Sequence, residues 1–371
     1  MKIMNKIIKL TKSRGQSLWL DSISREMIES GKIENLINDG ITGITSNPTI
    51  FDKAIGEGNA YDSSLIQYSK TSKNTEEIFE KLAVEDIKNA ANLLSKTYQS
   101  SNFNDGYVSI EVSPQFANDS ESTIKQAQRL WNKINEPNVM IKVPGTEEGF
   151  IAVKTLISRG INVNITLLFS VEQYKKTAYA YLDGLTEYAK LGRGNTNSVC
   201  SVASFFISRI DTAIDNLLDI NSDLRGKIGI SNAKLAYNEY KKIFDKNLYG
   251  QGSFFPLYST GAKVQKPLWA STSVKNPDYD KNLYLDNLVG EETINTIPLE
   301  AFNNFSISGK PNNSLIENID QAEENMKNLS NNGINFDEIT SQLLQNGIKA
   351  FSNSYDSLID KINQKLSKLK S

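Results

Sequence analysis

The stretch Val139-Met-Ile-Lys-Val-Pro-Gly-Thr-Glu-Glu-Gly-Phe150 contains both halves of a repeating unit. Its first five residues are apolar and largely β-branched apart from one lysine, which is typical of a buried strand. A threonine side chain can cap the first turn of a helix, and carboxylates favour its positive end. Because Thr146, Glu147 and Glu148 follow the strand, the stretch predicts a strand succeeded directly by a helix.

The same unit recurs along the chain. Residues 161–169 predict another strand, and Ser170-Val-Glu-Gln173 after it is a capping box, which marks a helix start. Repeated alternation of strands and helices is typical of an α/β protein, and eight such units predict a (β/α)8 TIM barrel. A doubly wound open sheet is the alternative, but no Gly-x-Gly-x-x-Gly follows the first strand. The eight predicted strands are residues 18–21, 40–47, 107–112, 139–143, 161–169, 198–206, 268–273 and 293–298.

Two tracts lie outside this alternation. Residues 303–313 are rich in Asn, Ser, Gly and Pro, which predicts a loop or linker. Residues 335–370 predict closing C-terminal helices, because apolar side chains recur at helical spacing between Phe351 and Leu369. We expect this amphipathic helix to pack against the barrel wall. The chain, residues 1–371, is therefore predicted to form a single (β/α)8 barrel domain with additional helices.

The composition argues against several classes of partner. Of 371 residues, 39% are hydrophobic and 23% charged, which is ordinary for a protein with a core. Lys plus Arg is 41 and Asp plus Glu is 43, so the net charge of −2 argues against nucleic acid or an anionic membrane as the main partner. No apolar run of about 18 residues is present, so we expect no membrane-spanning helix. The N-terminus lacks the apolar core of a secretory signal, so we expect no such signal either. A single cysteine, Cys200, can form no internal disulfide, which favours the cytoplasm.

The chain contains no histidine. This excludes Ser-His-Asp and Cys-His nucleophilic catalysis and histidine metal sites. Lysine is the remaining nucleophile for neutral pH, because its neutral amine forms Schiff bases with carbonyl compounds. Such chemistry needs no metal and no cofactor, and we predict neither.

Strand alternation predicts which polar residues lie inside the barrel. Met140 and Lys142 share a face opposite the apolar Val139, Ile141 and Val143, so Lys142 is expected to point inward; a snorkelling or ion-paired lysine is the alternative. Active sites of this fold lie at the C-terminal ends of the strands. A lysine beside two carboxylates, without histidine, therefore indicates Schiff-base chemistry with acid/base help. The same alternation aligns Trp19 with Asp21, Thr45 with Asn47, Ser109 with Glu111, Asn164 with Thr166, Ser204 with Phe206, and Trp269 with Ser271.

At these residues the sequence resembles the transaldolase family, in its longer bacterial form, within the class I Schiff-base aldolase superfamily. The resemblance covers roughly residues 15–370, and its motifs occur in order. One stretch, Ser204-Phe-Phe-Ile-Ser-Arg-Ile210, is similar to the family's Ser-Pro-Phe-Val-Gly-Arg-Ile with the proline and glycine replaced. Other matching segments are Leu18-Trp-Leu-Asp21, Gly43-Ile-Thr-Ser-Asn-Pro-Thr-Ile-Phe51, Val108-Ser-Ile-Glu-Val112, Ile141-Lys-Val-Pro144, Asn164-Ile-Thr-Leu-Leu-Phe-Ser170, Pro267-Leu-Trp-Ala-Ser-Thr272 and Thr293-Ile-Asn-Thr-Ile-Pro298.

The resemblance implies four catalytic residues. Lys142 would form the Schiff base with the ketose C2, and Asp21 would remove the C4-hydroxyl proton during carbon–carbon cleavage. Glu111 and Thr166 would hold the water used in carbinolamine dehydration.

It also implies a set of substrate-binding residues. Asn47 and Asn164 would bind substrate hydroxyls, and Arg209 would bind the phosphate, which a bidentate guanidinium fits well. Ser271 would assist Arg209, and Lys275 is a candidate for the family's second phosphate-binding cation. The full predicted set is Thr45, Asn47, Asn164, Ser204, Phe206, Arg209 and Ser271.

The implied activity belongs to the pentose phosphate pathway. A dihydroxyacetone unit would pass from sedoheptulose 7-phosphate or fructose 6-phosphate to glyceraldehyde 3-phosphate or erythrose 4-phosphate. The nearest alternative is a class I fructose-6-phosphate aldolase that releases dihydroxyacetone; Phe206, where such aldolases carry a tyrosine, favours transfer. A non-catalytic sugar-phosphate-binding barrel is the other alternative. Small sugar phosphates are the only expected partners, and monomer and homodimer both stay open.

Overall fold

Eight parallel strands, each paired with the next along the chain, form a closed barrel in the computed structural model. The structure describes residues 5–192, 194–248 and 254–370, so both ends of the predicted domain lie outside the described residues. The ring closes between the last and first strands, where Leu20 lies beside Ile297. The predicted (β/α)8 fold is therefore confirmed. The strands are β1 (Gln16–Leu20), β2 (Gly43–Thr45), β3 (Val108–Glu111), β4 (Val139–Pro144), β5 (Val163–Leu168), β6 (Ser201–Phe206), β7 (Lys266–Ala270) and β8 (Thr293–Ile297).

Helices alternate with these strands along the chain, and several begin with the predicted capping contacts. The Thr146 hydroxyl accepts a hydrogen bond from the Gly149 N–H, and Ser170 and Gln173 form the capping box. The α-helices are α1 (Lys6–Ser13), α2 (Arg25–Glu29), α3 (Lys32–Asp39), α4 (Pro48–Gly56), α5 (Asp62–Ser69), α6 (Thr75–Ser100), α7 (Ser120–Ile134), α8 (Glu147–Ser158), α9 (Val171–Lys190), α10 (Ser208–Asp215), α11 (Ile228–Ile243), α12 (Phe255–Tyr258), α13 (Leu283–Asn287), α14 (Leu299–Ser308), α15 (Ile319–Asn331) and α16 (Phe336–Lys370).

Two apolar clusters support the barrel. The larger one joins the outward faces of the strands to the helices and includes Val139, Ile141 and Val143. The smaller one contains inward residues such as Met140. Lys142 shares the face of Met140, so the side chain is directed inward as the alternation predicts.

The C-terminal segment forms one continuous helix, α16. Ion pairs fasten it to α4 and α5, with Lys361 Nζ 2.7 Å from Asp52 Oδ2 and Lys365 Nζ 2.9 Å from Asp62 Oδ1. Its packing extends beyond the predicted position against the barrel wall, because Phe351 belongs to the inner cluster. The helix therefore reaches the open end of the barrel.

The prediction of a loop or linker over residues 303–313 is wrong for its first half. Helix α14 runs to Ser308, and only residues 309–313 of the tract lie beyond it. Phe305 is 1% exposed and Phe302, one turn before it, is 4% exposed. Burial of these aromatic side chains outweighs the low helix propensity of the surrounding Asn and Ser residues.

The predicted alignment of Trp269 with Ser271 is also wrong. Trp269 belongs to the outer cluster and packs edge-on against Phe205, with ring centroids 6.1 Å apart. The inward residues of β7 are Leu268 and Ala270. Ser271 nevertheless reaches the barrel mouth, because its φ of +55° breaks the strand alternation immediately after β7.

Candidate functional site

A cavity of about 150 Å³ lies at the C-terminal ends of the barrel strands. Most of the predicted site residues line it, although they come from widely separated parts of the chain. Glu111 and Asn164 do not line this cavity but contact residues that belong to the same group. The lining includes Asp21, Thr45, Asn47, Lys142, Thr166, Ser204, Phe206, Arg209, Ser271, Lys275, Thr296 and Phe351.

Lys142 is the buried amine of the site. Its Nζ donates hydrogen bonds to the Ser46 carbonyl at 3.0 Å and to Glu111 Oε2 at 3.3 Å. The side chains of Lys142 and Glu111 are only 6% and 4% exposed. Lys142 points inward as predicted; of the two alternatives snorkelling is wrong, whereas the ion pair is present, because the amine is directed at the Glu111 carboxylate within the barrel.

Burial raises the pKa of the Glu111 carboxyl, and the positive charge and hydrogen bond of Lys142 only partly offset this. Nearby Asp21 raises it further. A carboxyl whose pKa is raised accepts a proton more readily than an ordinary carboxylate, and Glu111 lies within hydrogen-bond distance of the amine. The Lys142–Glu111 pair is thus suited to supplying an unprotonated amine for attack on a carbonyl.

Two buried oxygen atoms near this pair lack hydrogen-bond partners among the described residues. They are Glu111 Oε1 and Thr166 Oγ1. A buried polar atom without a partner is unfavourable by about 1–3 kcal/mol. These atoms are therefore available to a reacting group or to water, consistent with the role the sequence implies for Glu111 and Thr166.

The Asp21 carboxyl is hydrogen-bonded to one threonine hydroxyl, which is in turn hydrogen-bonded to a second. Thr45 Oγ1 donates to Asp21 Oδ1 at 2.7 Å, and Thr296 Oγ1 lies 2.6 Å from Thr45 Oγ1. Burial raises the pKa of the Asp21 carboxyl. The Thr45 hydrogen bond and the charges of Lys142 and Arg209 oppose that shift without cancelling it. A carboxyl in this state can accept and return a proton.

Asn164 lies deeper in the barrel than the cavity lining. Its Nδ2 donates to Ser109 Oγ at 3.0 Å, and its Oδ1 accepts from Ser204 Oγ at 2.6 Å. This chain of bonds spans three strands and fixes the inward polar layer. Asn47 is positioned differently, since its side-chain oxygen caps α4 by accepting from the Ile50 N–H.

Arg209 also lines the cavity. Burial lowers the pKa of its guanidinium, which Asp21 partly offsets. The guanidinium carbon is 5.1 Å from the centre of the Phe206 ring, a cation–π distance. Ser271 Oγ is 3.0 Å from Ser208 Oγ, and Ser208 directly precedes Arg209 in the chain. The cluster offers fixed donors to an anion.

Comparison with known proteins agrees with this geometry. The family described as Transaldolase/Fructose-6-phosphate aldolase matches residues 18–362. The chain belongs to that family. A transaldolase from Trichodesmium erythraeum is 44% identical, with 96% of each chain covered. A protein named Transaldolase 2 from Nostoc sp. is 41% identical, with 96% of each chain covered. A transaldolase from Mycolicibacterium smegmatis is 39% identical, with 93% of this chain and 94% of the relative covered. The protein is thus an enzyme of the transaldolase family.

Sequence reasoning missed several parts of this transaldolase-family site, including Thr296, a backbone carbonyl and an aromatic ring. The Ser46 carbonyl accepts from Lys142, but a backbone contact leaves no sequence signal. Phe351 on α16 lines the cavity, and Lys142 Nζ is 5.8 Å from its ring centre. Its helical spacing marked it only as a core residue, because the spacing does not say which neighbour the helix covers.

Neither a metal site nor a membrane helix is found in the described part of the chain. No group of three or more Cys, Asp or Glu side chains there is arranged to hold an ion. No described helix is both long and apolar enough to cross a bilayer.

Proposed function

We propose that this enzyme is a transaldolase, which transfers a three-carbon dihydroxyacetone unit from a ketose phosphate to an aldose phosphate through a Schiff base on Lys142. The donors are sedoheptulose 7-phosphate or fructose 6-phosphate, and the acceptors are glyceraldehyde 3-phosphate or erythrose 4-phosphate. The observation that supports this most strongly is the buried Lys142 amine 3.3 Å from Glu111.

The first stage is Schiff-base formation. Glu111 accepts a proton from Lys142, and the neutral amine attacks C2 of the ketose. The carbinolamine then loses water, with Glu111 and Thr166 holding the departing molecule. Their unpartnered oxygen atoms are consistent with that task.

The second stage is carbon–carbon cleavage. Asp21 takes the proton of the C4 hydroxyl, the C3–C4 bond breaks, and its electron pair flows into the protonated imine to form an enamine. The Thr45 hydroxyl holds the Asp21 carboxylate for this step. Addition of the acceptor aldehyde reverses the sequence, and hydrolysis releases the new ketose.

Arg209 binds the phosphate group, with Ser271 beside it. A buried guanidinium forms strong bidentate contacts with an oxyanion. Lys275 lines the same cavity, which supports its assignment as the second phosphate-binding cation. Asn47 and Ser204, which line this cavity, position the sugar hydroxyls, while Asn164 accepts a hydrogen bond from Ser204 and holds it in place.

Transfer requires that the enamine survive until an aldehyde arrives. Phe206 and Phe351 present apolar rings to the cavity and exclude water from the reacting carbon. This favours transfer over the fructose-6-phosphate aldolase alternative, which requires a proton to reach the enamine.

Release of dihydroxyacetone tests the proposal. With fructose 6-phosphate alone, the enzyme should release little free dihydroxyacetone, and adding erythrose 4-phosphate should yield sedoheptulose 7-phosphate. Rapid release without an acceptor would favour the aldolase. The cytoplasmic location and the single-domain organisation stay predictions.

A further inference from the structure

A second cavity, of about 400 Å³, is lined by Ser46 and Glu111, the two residues to which Lys142 Nζ donates hydrogen bonds. It runs between α6, α7 and α16 to the end of β3, and we call it the rear cavity. Asn47 lines both the rear cavity and the substrate cavity. The two spaces therefore approach each other at this residue.

The partition between the two cavities contains the hydrogen-bond acceptors of Lys142. Ser46 and Glu111 both line the rear cavity, and Lys142 Nζ donates to both at 3.0 and 3.3 Å. The amine thus lies against the wall of the rear cavity while it lines the substrate cavity. A group that leaves from the atom bonded to this nitrogen departs beside that wall.

Two unpartnered polar atoms belong to residues at the inner end of the rear cavity. They are Glu111 Oε1 and Ser113 Oγ, and neither has a hydrogen-bond partner among the described residues. The Glu111 side chain is 4% exposed and Ser113 is 6% exposed. Water molecules in protein interiors bind at such buried polar atoms.

We propose that the rear cavity is the route by which water leaves and reaches Glu111, separate from the opening through which the sugar enters. The inference rests on the proposed function, because only Schiff-base formation and hydrolysis exchange water at this position. As the carbinolamine collapses, the nitrogen lone pair forms the C=N bond and the C–O bond breaks. The departing hydroxyl takes a proton from Glu111 and leaves as water; hydrolysis is the reverse.

The arrangement separates two requirements of the reaction. Water must reach C2 to release the product, but it must not reach the enamine carbon that awaits the aldehyde. Phe206 and Phe351 line the substrate cavity, whereas Ser113 and Glu111 line the rear cavity. Entry from the rear delivers water to the carbon bonded to Lys142 without passing these rings.

Filling the rear cavity tests the proposal. Ala83 lies on α6, is 1% exposed and lines the cavity, so Ala83→Leu narrows it. Leu130→Phe narrows it from α7 and serves as a second variant if the first is unstable. Ala90→Leu is the matched control, because Ala90 is buried two turns further along α6 and packs in the outer core.

Two measurements report on water. The first is the rate at which the borohydride-trappable adduct appears. The second uses a donor ketose with an isotopic oxygen label at C2 and records the label in the product ketose. We expect adduct formation to slow about tenfold, equivalent to ~1.4 kcal/mol. Label retention should rise, because the released water stays near the site and returns.

The outcomes are separable. The water route is supported if both cavity variants form the adduct more slowly and retain more of the oxygen label. Ala90→Leu should show neither change. Unchanged retention and rate in folded Ala83→Leu and Leu130→Phe overturns it, as does an equal effect in the control. If the unmodified enzyme forms no adduct at all, the proposed function itself fails.

Discussion

Replacing Thr45 by valine should move the pH dependence of the reaction through Asp21. Thr45 Oγ1 donates to Asp21 Oδ1 at 2.7 Å, so in the 2.6 Å pair between the two threonines Thr296 must be the donor. Valine is close to threonine in shape but lacks the hydroxyl. Thr45→Val therefore removes a hydrogen bond that stabilises the carboxylate while keeping the volume of the side chain.

The size of the shift follows from the strength of that bond. A hydrogen bond to a charged group contributes about 1.5–3 kcal/mol to stability. The pKa of Asp21, already raised by burial, should therefore rise further when this bond to the carboxylate is lost. Asp21 acts as a base in cleavage, so activity falls as the pH drops through its pKa, and the acidic limb should move to higher pH.

The assay is the pH profile of kcat/KM for transfer from fructose 6-phosphate to erythrose 4-phosphate. Thr296→Val is the matched control, because it removes the outer hydroxyl and leaves the Thr45–Asp21 bond in place. We expect a much smaller displacement in the control. An acidic limb that stays in place in Thr45→Val, or moves equally in both variants, would refute the assignment of the base to Asp21.

Other variants test the remaining parts of the site. Arg209→Ala should raise KM for phosphorylated sugars by about 10- to 100-fold, matching a charge-assisted contact of ~1.5–3 kcal/mol, and should change KM for unphosphorylated analogues little; equal losses would make Arg209 structural. Asp21→Ala should still form a trappable adduct but cleave about 10²–10⁴-fold more slowly, whereas Glu111→Ala should slow the adduct itself, and the opposite pattern would reverse the two roles. Phe351→Ala should increase free dihydroxyacetone relative to transferred product, and an unchanged ratio would show that its ring does not exclude water. Asp21→Asn should raise Tm at pH 7, because burial raises the folded-state pKa and so makes the ionised carboxyl destabilising; this gain should shrink as the pH falls through the raised folded-state pKa and vanish below the unfolded value of about 3.9.

The barrel could be predicted from the sequence because its strands are short, apolar and separated by capped helices. Lys142 could be placed inward because the β-branched residues Val139, Ile141 and Val143 occupy the other face. Alternation is a local property, so it worked wherever the backbone stayed regular.

The same reasoning failed where the backbone departs from regular geometry. Ser271 has a φ of +55° and Leu167 a φ of +62°. Both residues follow an inward-facing side chain, yet Ser271 lines the cavity and Leu167 belongs to the inner cluster. Left-handed conformations of non-glycine residues are uncommon, and no local pattern in the sequence announces them.

The position of α16 is a second limit of sequence reasoning. Its apolar spacing showed that one face is buried but not what that face covers. Ion pairs to Asp52 and Asp62, more than 300 residues away in the chain, fix the helix over the barrel mouth. These distant contacts help to hold Phe351 at the site, where its ring also packs in the inner cluster.

The most direct test of the account is to identify the lysine that forms the covalent adduct. The enzyme is reduced with borohydride in the presence of fructose 6-phosphate, and the labelled peptide is mapped by mass spectrometry. We predict a single modification at Lys142, loss of activity in proportion to labelling, and no adduct in a folded Lys142→Ala variant. Labelling at another lysine, or full activity in Lys142→Ala, would contradict the proposed mechanism.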